Sequence, residues 1–145
     1  MRRSLQILLV VLVGLLPALA FGDEAELRSF GRELGLRDLD GFVDAVTTIR
    51  EDGRLPDRWI TKREAEELGW RPGRDLCDVA EGLSIGGDRF GNREGRLPAR
   101  QGRRWTEADL DFDCGRRGAK RLVFSNDQLI YVTIDHYDTF HEVPE

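Results

Sequence analysis

An α+β fold, with N-terminal helices packed on one face of a C-terminal antiparallel β-sheet, is what this chain predicts. Three observations carry the expectation. Apolar residues recur at three- and four-residue steps in the first half of the chain. From residue 84 onward the segments become rich in Val, Ile, Leu, Phe and Tyr, and one of them alternates with a period of two. Helical patterns therefore come first and strand patterns later, which is the order of an α+β domain.

The elements follow in order. Met1-Arg2-Arg3 is a short basic start, residues 5–16 are almost wholly apolar, and Ala18-Leu19-Ala20 is a small-x-small cleavage pattern. This predicts a signal peptide over 1–20 and a secreted or periplasmic protein with no membrane contact after cleavage. A single membrane anchor is the alternative, but the run is short for a bilayer and no basic cluster follows it. Residues 21–35 read as a leader or a frayed first helix, and 36–145 as one domain. Leu39, Phe42, Val43, Val46 and Ile49 mark a helix that Asp40 caps in part and Gly53 and Pro56 end. Thr61 and Glu64 form a capping box for a second helix, which Gly69 stops. Pro72, Gly73 and Gly82 predict loops around a short helical stretch over 75–80. Strands are expected over 104–110, 121–124, 129–134 and around 139–143, with a hairpin turn at Ser125-Asn126-Asp127.

The whole chain carries 22 Lys+Arg against 27 Asp+Glu, and without its first twenty residues 20 basic side chains face the same 27 acids, a net charge of −7. Such a balance counts against tight, processive binding of nucleic acid, since phosphate neutralisation dominates that affinity. It leaves room for a small basic cleft on an acidic body. Cys77 and Cys114 are the only cysteines. In an exported protein such a pair predicts a disulfide. Zinc is disfavoured because no CxxC and no histidine at ligand spacing accompanies them. We expect no metal and no cofactor.

The stretch 84–95, Ser-Ile-Gly-Gly-Asp-Arg-Phe-Gly-Asn-Arg-Glu-Gly, reads as a Gly-rich loop with backbone donors beside the Glu94 carboxylate. Those groups suit one planar edge such as that of guanine. Glu107 lies on an alternating strand, where a cross-strand ion pair is the plainer explanation. His136, between Asp135 and Tyr137, is either a solvated loop residue or the one group placed to change charge near neutral pH; His141 is taken as surface. Arg116, Arg117, Lys120 and Arg121 form a basic cluster directly after an acidic stretch. Together these groups meet the demands of phosphodiester transesterification without metal: a base for the 2′-OH, an acid for the leaving 5′-oxygen and fixed cations for the phosphorane.

From about residue 54 the chain resembles the barnase-like family of secreted bacterial guanyl-preferring ribonucleases. The resemblance is carried by Leu-Pro-Asp-x-Trp-Ile-Thr-Lys (55–62), Glu64-Ala65, Leu68-Gly69-Trp70 and Ser-Ile-Gly-Gly-Asp-x-Phe-x-Asn-Arg-Glu-Gly-x-Leu-Pro (84–98). Further matches are Gly102-Arg103, Trp105-x-Glu-Ala-Asp (105–109), Leu129-Ile130-Tyr131 and Thr-x-Asp-His-Tyr-x-Thr-Phe (133–140). It implies the microbial ribonuclease fold and cleavage of single-stranded RNA 3′ to guanosine through a 2′,3′-cyclic phosphate. Glu107 would be the general base and His136 the general acid, with Lys62, Arg117 and Arg121 on the phosphate. Glu94 would accept from guanine N1 and N2, and the backbone at Asn92 and Arg93 would donate to O6. Asp88 and Arg93 would be supporting or substrate-site residues, and Phe90 and Tyr137 would shape base and phosphate contacts. Trp59, Trp70 and Trp105 are read as packing residues. A barstar-like cytosolic inhibitor is a further implication, and a monomer is expected because no apolar surface stripe suggests otherwise. The alternative is a non-catalytic guanine-nucleotide or protein-binding domain on the same fold. The cysteine pair is not general in the family; here it would tie the segment after the second helix to the loop carrying Arg117.

Overall fold

The structure is a computed structural model that describes residues 19–145. The expected signal peptide lies outside them, apart from the backbone of its last two residues. Helix α1 spans Leu19–Glu33 and α2 spans Leu39–Asp52. Residues 21–35 are thus helical as far as Glu33, and Leu27 is only 1% exposed within the main core. The first helix is packed, not frayed. Asp38, rather than Asp40, caps α2: its carboxylate accepts from Gly41 N at 2.8 Å, while Gly53 closes the helix in the left-handed region, donating to Ile49 O. Helix α3, Lys62–Glu67, begins with the expected capping box. Thr61 Oγ1 accepts from Glu64 N, and Glu64 Oε2 accepts from Thr61 N at 2.7 Å. A 3₁₀ turn at Leu76–Asp78 follows.

Six strands form one sheet in sequential order: β1 Trp59–Ile60, β2 Ser84–Phe90, β3 Trp105–Asp109, β4 Arg121–Ser125, β5 Ile130–Thr133 and β6 His141–Glu142. β1 pairs with β2 in parallel, so the sheet is mixed rather than wholly antiparallel; the other four pairings are antiparallel. The first part of the expected Gly-rich loop is in fact strand β2. Its glycines serve packing and bulging. A Cβ on Gly86 would lie 2.6 Å from Trp59 Cδ1 and 2.9 Å from Ala108 Cβ, and Gly87 (φ 100°) sits where the β2–β3 register slips. A bulge of this kind re-aims the following side chains.

The period of two gives the sheet distinct faces. Ala108, Leu122, Phe124, Ile130 and Val132 meet Phe42, Val46 and Ile49 of α2 in the main core. Each of these side chains other than Ala108 contributes about 1.5–3 kcal/mol relative to exposure. Trp59 joins that core, Trp70 packs in a second cluster with Leu76 and Ile85, and Trp105 packs with Leu97 and Val123 on the opposite face of the sheet. The Cys77–Cys114 disulfide is formed, with Cα atoms 5.5 Å apart, and it ties the 3₁₀ turn to the β3–β4 connection.

Candidate active site

The face of the sheet turned away from the helices carries the charged residues. On β3, Glu107 and Asp109 follow Trp105 at two-residue steps; across the ladder Asp109 faces Arg121 and Glu107 faces Val123. Asp109, with its side chain 2% exposed, grips two cations. Arg117 donates to it twice, both at 2.7 Å, and Arg121 Nε lies 3.0 Å from its Oδ1. Hydrogen bonding to Asp109 raises the Arg117 pKa further and outweighs its desolvation. Arg121 also donates to Gly118 O and Lys120 O. A buried charge of this kind is tolerable only when paired and hydrogen-bonded, and pairing fixes its geometry. Lys120 turns elsewhere: it binds Gly35 O and Asp111, closing the fold rather than the cleft.

Glu107 is half-buried. Tyr137 Oη donates to its Oε2 at 2.7 Å, and Lys62 Nζ stands 3.9 Å from its Oε1. Lys62 opens α3, and its backbone N–H donates to Asp88 at 3.0 Å. Asp88 therefore orients the start of that helix, the supporting one of its two expected roles, and does not itself line the cleft.

His136 and Tyr137 sit in a turn with φ of 54° and 72°. Positive φ is costly for such residues and persists only where the surroundings enforce it. Asp135 supplies that enforcement. It accepts from Thr139 N and Oγ1 and from Thr133 Oγ1, while Thr133 Oγ1 accepts from Tyr137 N and His136 N donates to Ala119 O. The Thr139 hydroxyl and N–H hold the Asp135 carboxyl down to about 2. The His136 ring is exposed, 4.8 Å from that of Tyr137. Burial, aided by the Glu107 carboxylate, pushes the Tyr137 phenol up to about 12.

The segment after β2 forms the remaining wall. Asn92 (φ 46°) uses its side chain internally, donating to Leu97 O and accepting from Leu97 N, so only its backbone is left to meet a ligand. Phe90 stacks on Tyr137 at 5.0 Å. Glu94 is exposed and ion-paired with Arg96 at 3.3 Å. Arg96 also donates to Tyr137 O, Asp138 O and Asp138 Oδ1, bridging this loop to the turn that carries His136.

One cleft of about 1090 Å³ brings together Lys62, Phe90, Asn92, Arg93, Glu94, Glu107, Arg117, Arg121, His136 and Tyr137. Asp88 and the two cysteines stand outside it. Sequence reasoning missed five lining residues, Arg89, Gly91, Arg96, Asp138 and Phe140, and the role of Asp109. Asp109 had a signal: a carboxylate two residues from Glu107 on one strand face, followed by a run of arginines.

A family model described as ribonuclease matches residues 43–144. The ribonuclease of Heyndrickxia coagulans is 50% identical over 109 residues, which cover 74% of this chain and 97% of that one. The ribonucleases of Bacillus intermedius and Bacillus pumilus are also 50% identical over 109 residues, covering 74% of this chain and 65% of theirs. The crystal structure of ribonuclease Sa2 with guanosine-2'-cyclophosphate is similar at 27% identity over 63% of this chain and 89% of that one, with a TM-score of 0.36. The family match across most of the chain and the 50% identity together make this chain a member of the bacterial ribonuclease family, an endoribonuclease acting on RNA.

Proposed function

We propose that the protein cleaves single-stranded RNA on the 3′ side of guanosine by metal-independent transesterification, leaving a 2′,3′-cyclic phosphate that it can then hydrolyse. The observation that carries this reading is the sharing of one cleft by Glu107, His136 and the cations Lys62, Arg117 and Arg121. Glu107 takes the 2′-OH proton, and His136 protonates the leaving 5′-oxygen; the two exchange roles in hydrolysis. Lys62, Arg117 and Arg121 stabilise the charge on the phosphorane, and the Asp109 clamp orients both arginines before substrate arrives. Glu94 accepts from guanine N1 and N2 once it releases Arg96, and the backbone N–H groups at Asn92 and Arg93 donate to O6. The Asn92–Leu97 hydrogen-bond pair supports this by holding that backbone in place. We further read the protein as an exported monomer, restrained before export by an acidic inhibitor that complements the cationic cleft.

The test is cleavage, in EDTA, of a short single-stranded RNA containing one guanosine. The expected product ends in guanosine 2′,3′-cyclic phosphate. Glu107→Gln and His136→Ala each lower the rate by about 10²–10⁴-fold. Equal cutting after all four bases would remove the guanine assignment. Undiminished cutting by both variants would remove the acid–base assignment.

A further inference from the structure

Beside the cleft lies a second, shallower groove of about 200 Å³. The two share Arg89, Phe90, Gly91 and Asn92, while none of Glu107, Arg117, Arg121 and His136 borders the second. Four arginines do border it: Arg89, Arg100, Arg103 and Arg104. Arg103 is committed, being bound to Asp127 and to Pro98 O. Arg89, Arg100 and Arg104 are exposed and form no ion pair among the described residues. Elsewhere pairing is usual; Arg28, Arg50 and Arg63, for example, each hold a carboxylate.

The concentration of charge is local. Residues 89–104 contain six arginines and a single acid, Glu94, in a chain of net charge −5. Gathering uncompensated guanidiniums along one groove opposes folding through repulsion. The arrangement makes sense where an anion completes it, and guanidinium is suited to phosphate oxygens. The position says which phosphate. In the guanosine-directed reading the 3′-phosphate lies among Lys62, Arg117 and Arg121, none of which borders the second groove, so a phosphate held there is assigned to the other, 5′, side of the nucleoside.

We propose that this groove binds a phosphodiester of the RNA strand on the 5′ side of the guanosine. The proposal rests on the guanosine-directed reading above. Exposure of Arg100 and Arg104 makes the interaction electrostatic and dependent on salt, and it acts on binding rather than on the chemical step.

The experiment compares two substrates, the dinucleotide GpU and the same dinucleotide with a 5′ extension of several uridines. Three proteins are used: the unaltered protein, Arg100→Ala/Arg104→Ala, and the charge-matched control Arg32→Ala/Arg74→Ala, whose positions border neither groove. In the unaltered protein the extension lowers KM. In Arg100→Ala/Arg104→Ala that advantage falls about tenfold, the size of a charge-assisted hydrogen bond. On the same substrate the slope of log(kcat/KM) against log salt shallows by about 0.7 for each phosphate that the variant no longer neutralises. Cleavage of GpU and the unfolding midpoint stay unchanged in that variant, and the control behaves as the unaltered protein. A fall of equal size on both substrates, or in the control, overturns the proposal, as does an extension that fails to lower KM. If the unaltered protein cuts neither substrate after guanosine, the guanosine reading has failed and the groove assignment falls with it.

Discussion

Tyr137 is the residue on which the interactions of the cleft converge. It donates to Glu107, stacks on Phe90, lies 5.9 Å by its ring from the Arg121 guanidinium, and is held in the left-handed region by Thr133. Its phenol titrates near 10 when unfolded and at about 12 when folded. The folded state thus favours the protonated form, and that stabilisation is complete below pH 10 and lost as the pH rises through 10 to 12. Tyr137→Phe should show a shallower loss of stability in that window, measured as urea midpoints at successive pH values; an identical alkaline decline would refute the assignment. At this scale Glu107 and His136 were left ambiguous by their local patterns and were singled out by the resemblance; the fold places both in one cleft. For Asp88 the sequence left a supporting and a substrate-site role open, because its bond to Lys62 N joins β2 to α3 and has no local signature. Arg96 was missed because its partners, Glu94 and Asp138, are brought together only by the folded chain.

The elements differ in how plainly they were written. Helix α3 was legible because its capping box is a local device that needs no tertiary information. Thr61→Ala removes the acceptor for Glu64 N and should lower stability by about 0.5–2 kcal/mol, read from denaturant unfolding; no change would mean that Asp88 and the sheet hold Lys62 unaided. Strands β3, β4 and β5 were legible because one face of each meets the helices. The parallel strand β1 was not, since two residues display no period. Strand β2 was hidden by Gly86 and Gly87, whose composition signals a loop while close packing against Trp59 is what demands at least the first. Helix α1 was obscured by its polar composition; Leu27 is its one fully buried side chain among those described, too few to set a pattern.

The whole molecule separates its charges, keeping a cationic cleft and groove on a chain of net charge −5. Composition revealed the acidic total and only hinted at the separation. The disulfide acts on the same scale. Its chain-entropy contribution for a sequence separation of 37 is about 4 kcal/mol. Cys77→Ser/Cys114→Ser should lower unfolding free energy by about that amount while leaving cleavage at 25 °C largely intact, because Arg117 stays gripped by Asp109. A variant that remains as stable but loses activity would show the bridge to be part of the site instead. The bridge also closes a covalent ring around β2, β3 and the arginines between them. Arg93, Arg96, Arg100 and Arg104 are all exposed, and each offers a trypsin-like protease a bond inside that ring. A single nick there should therefore yield a molecule heavier by one water, separating into two fragments only on reduction. A cut after Arg96, Arg100 or Arg104 leaves Lys62 and Glu94 on one fragment and Glu107, Arg117 and His136 on the other. A first proteolytic cut would in this way leave both halves of the cleft still joined by the bridge.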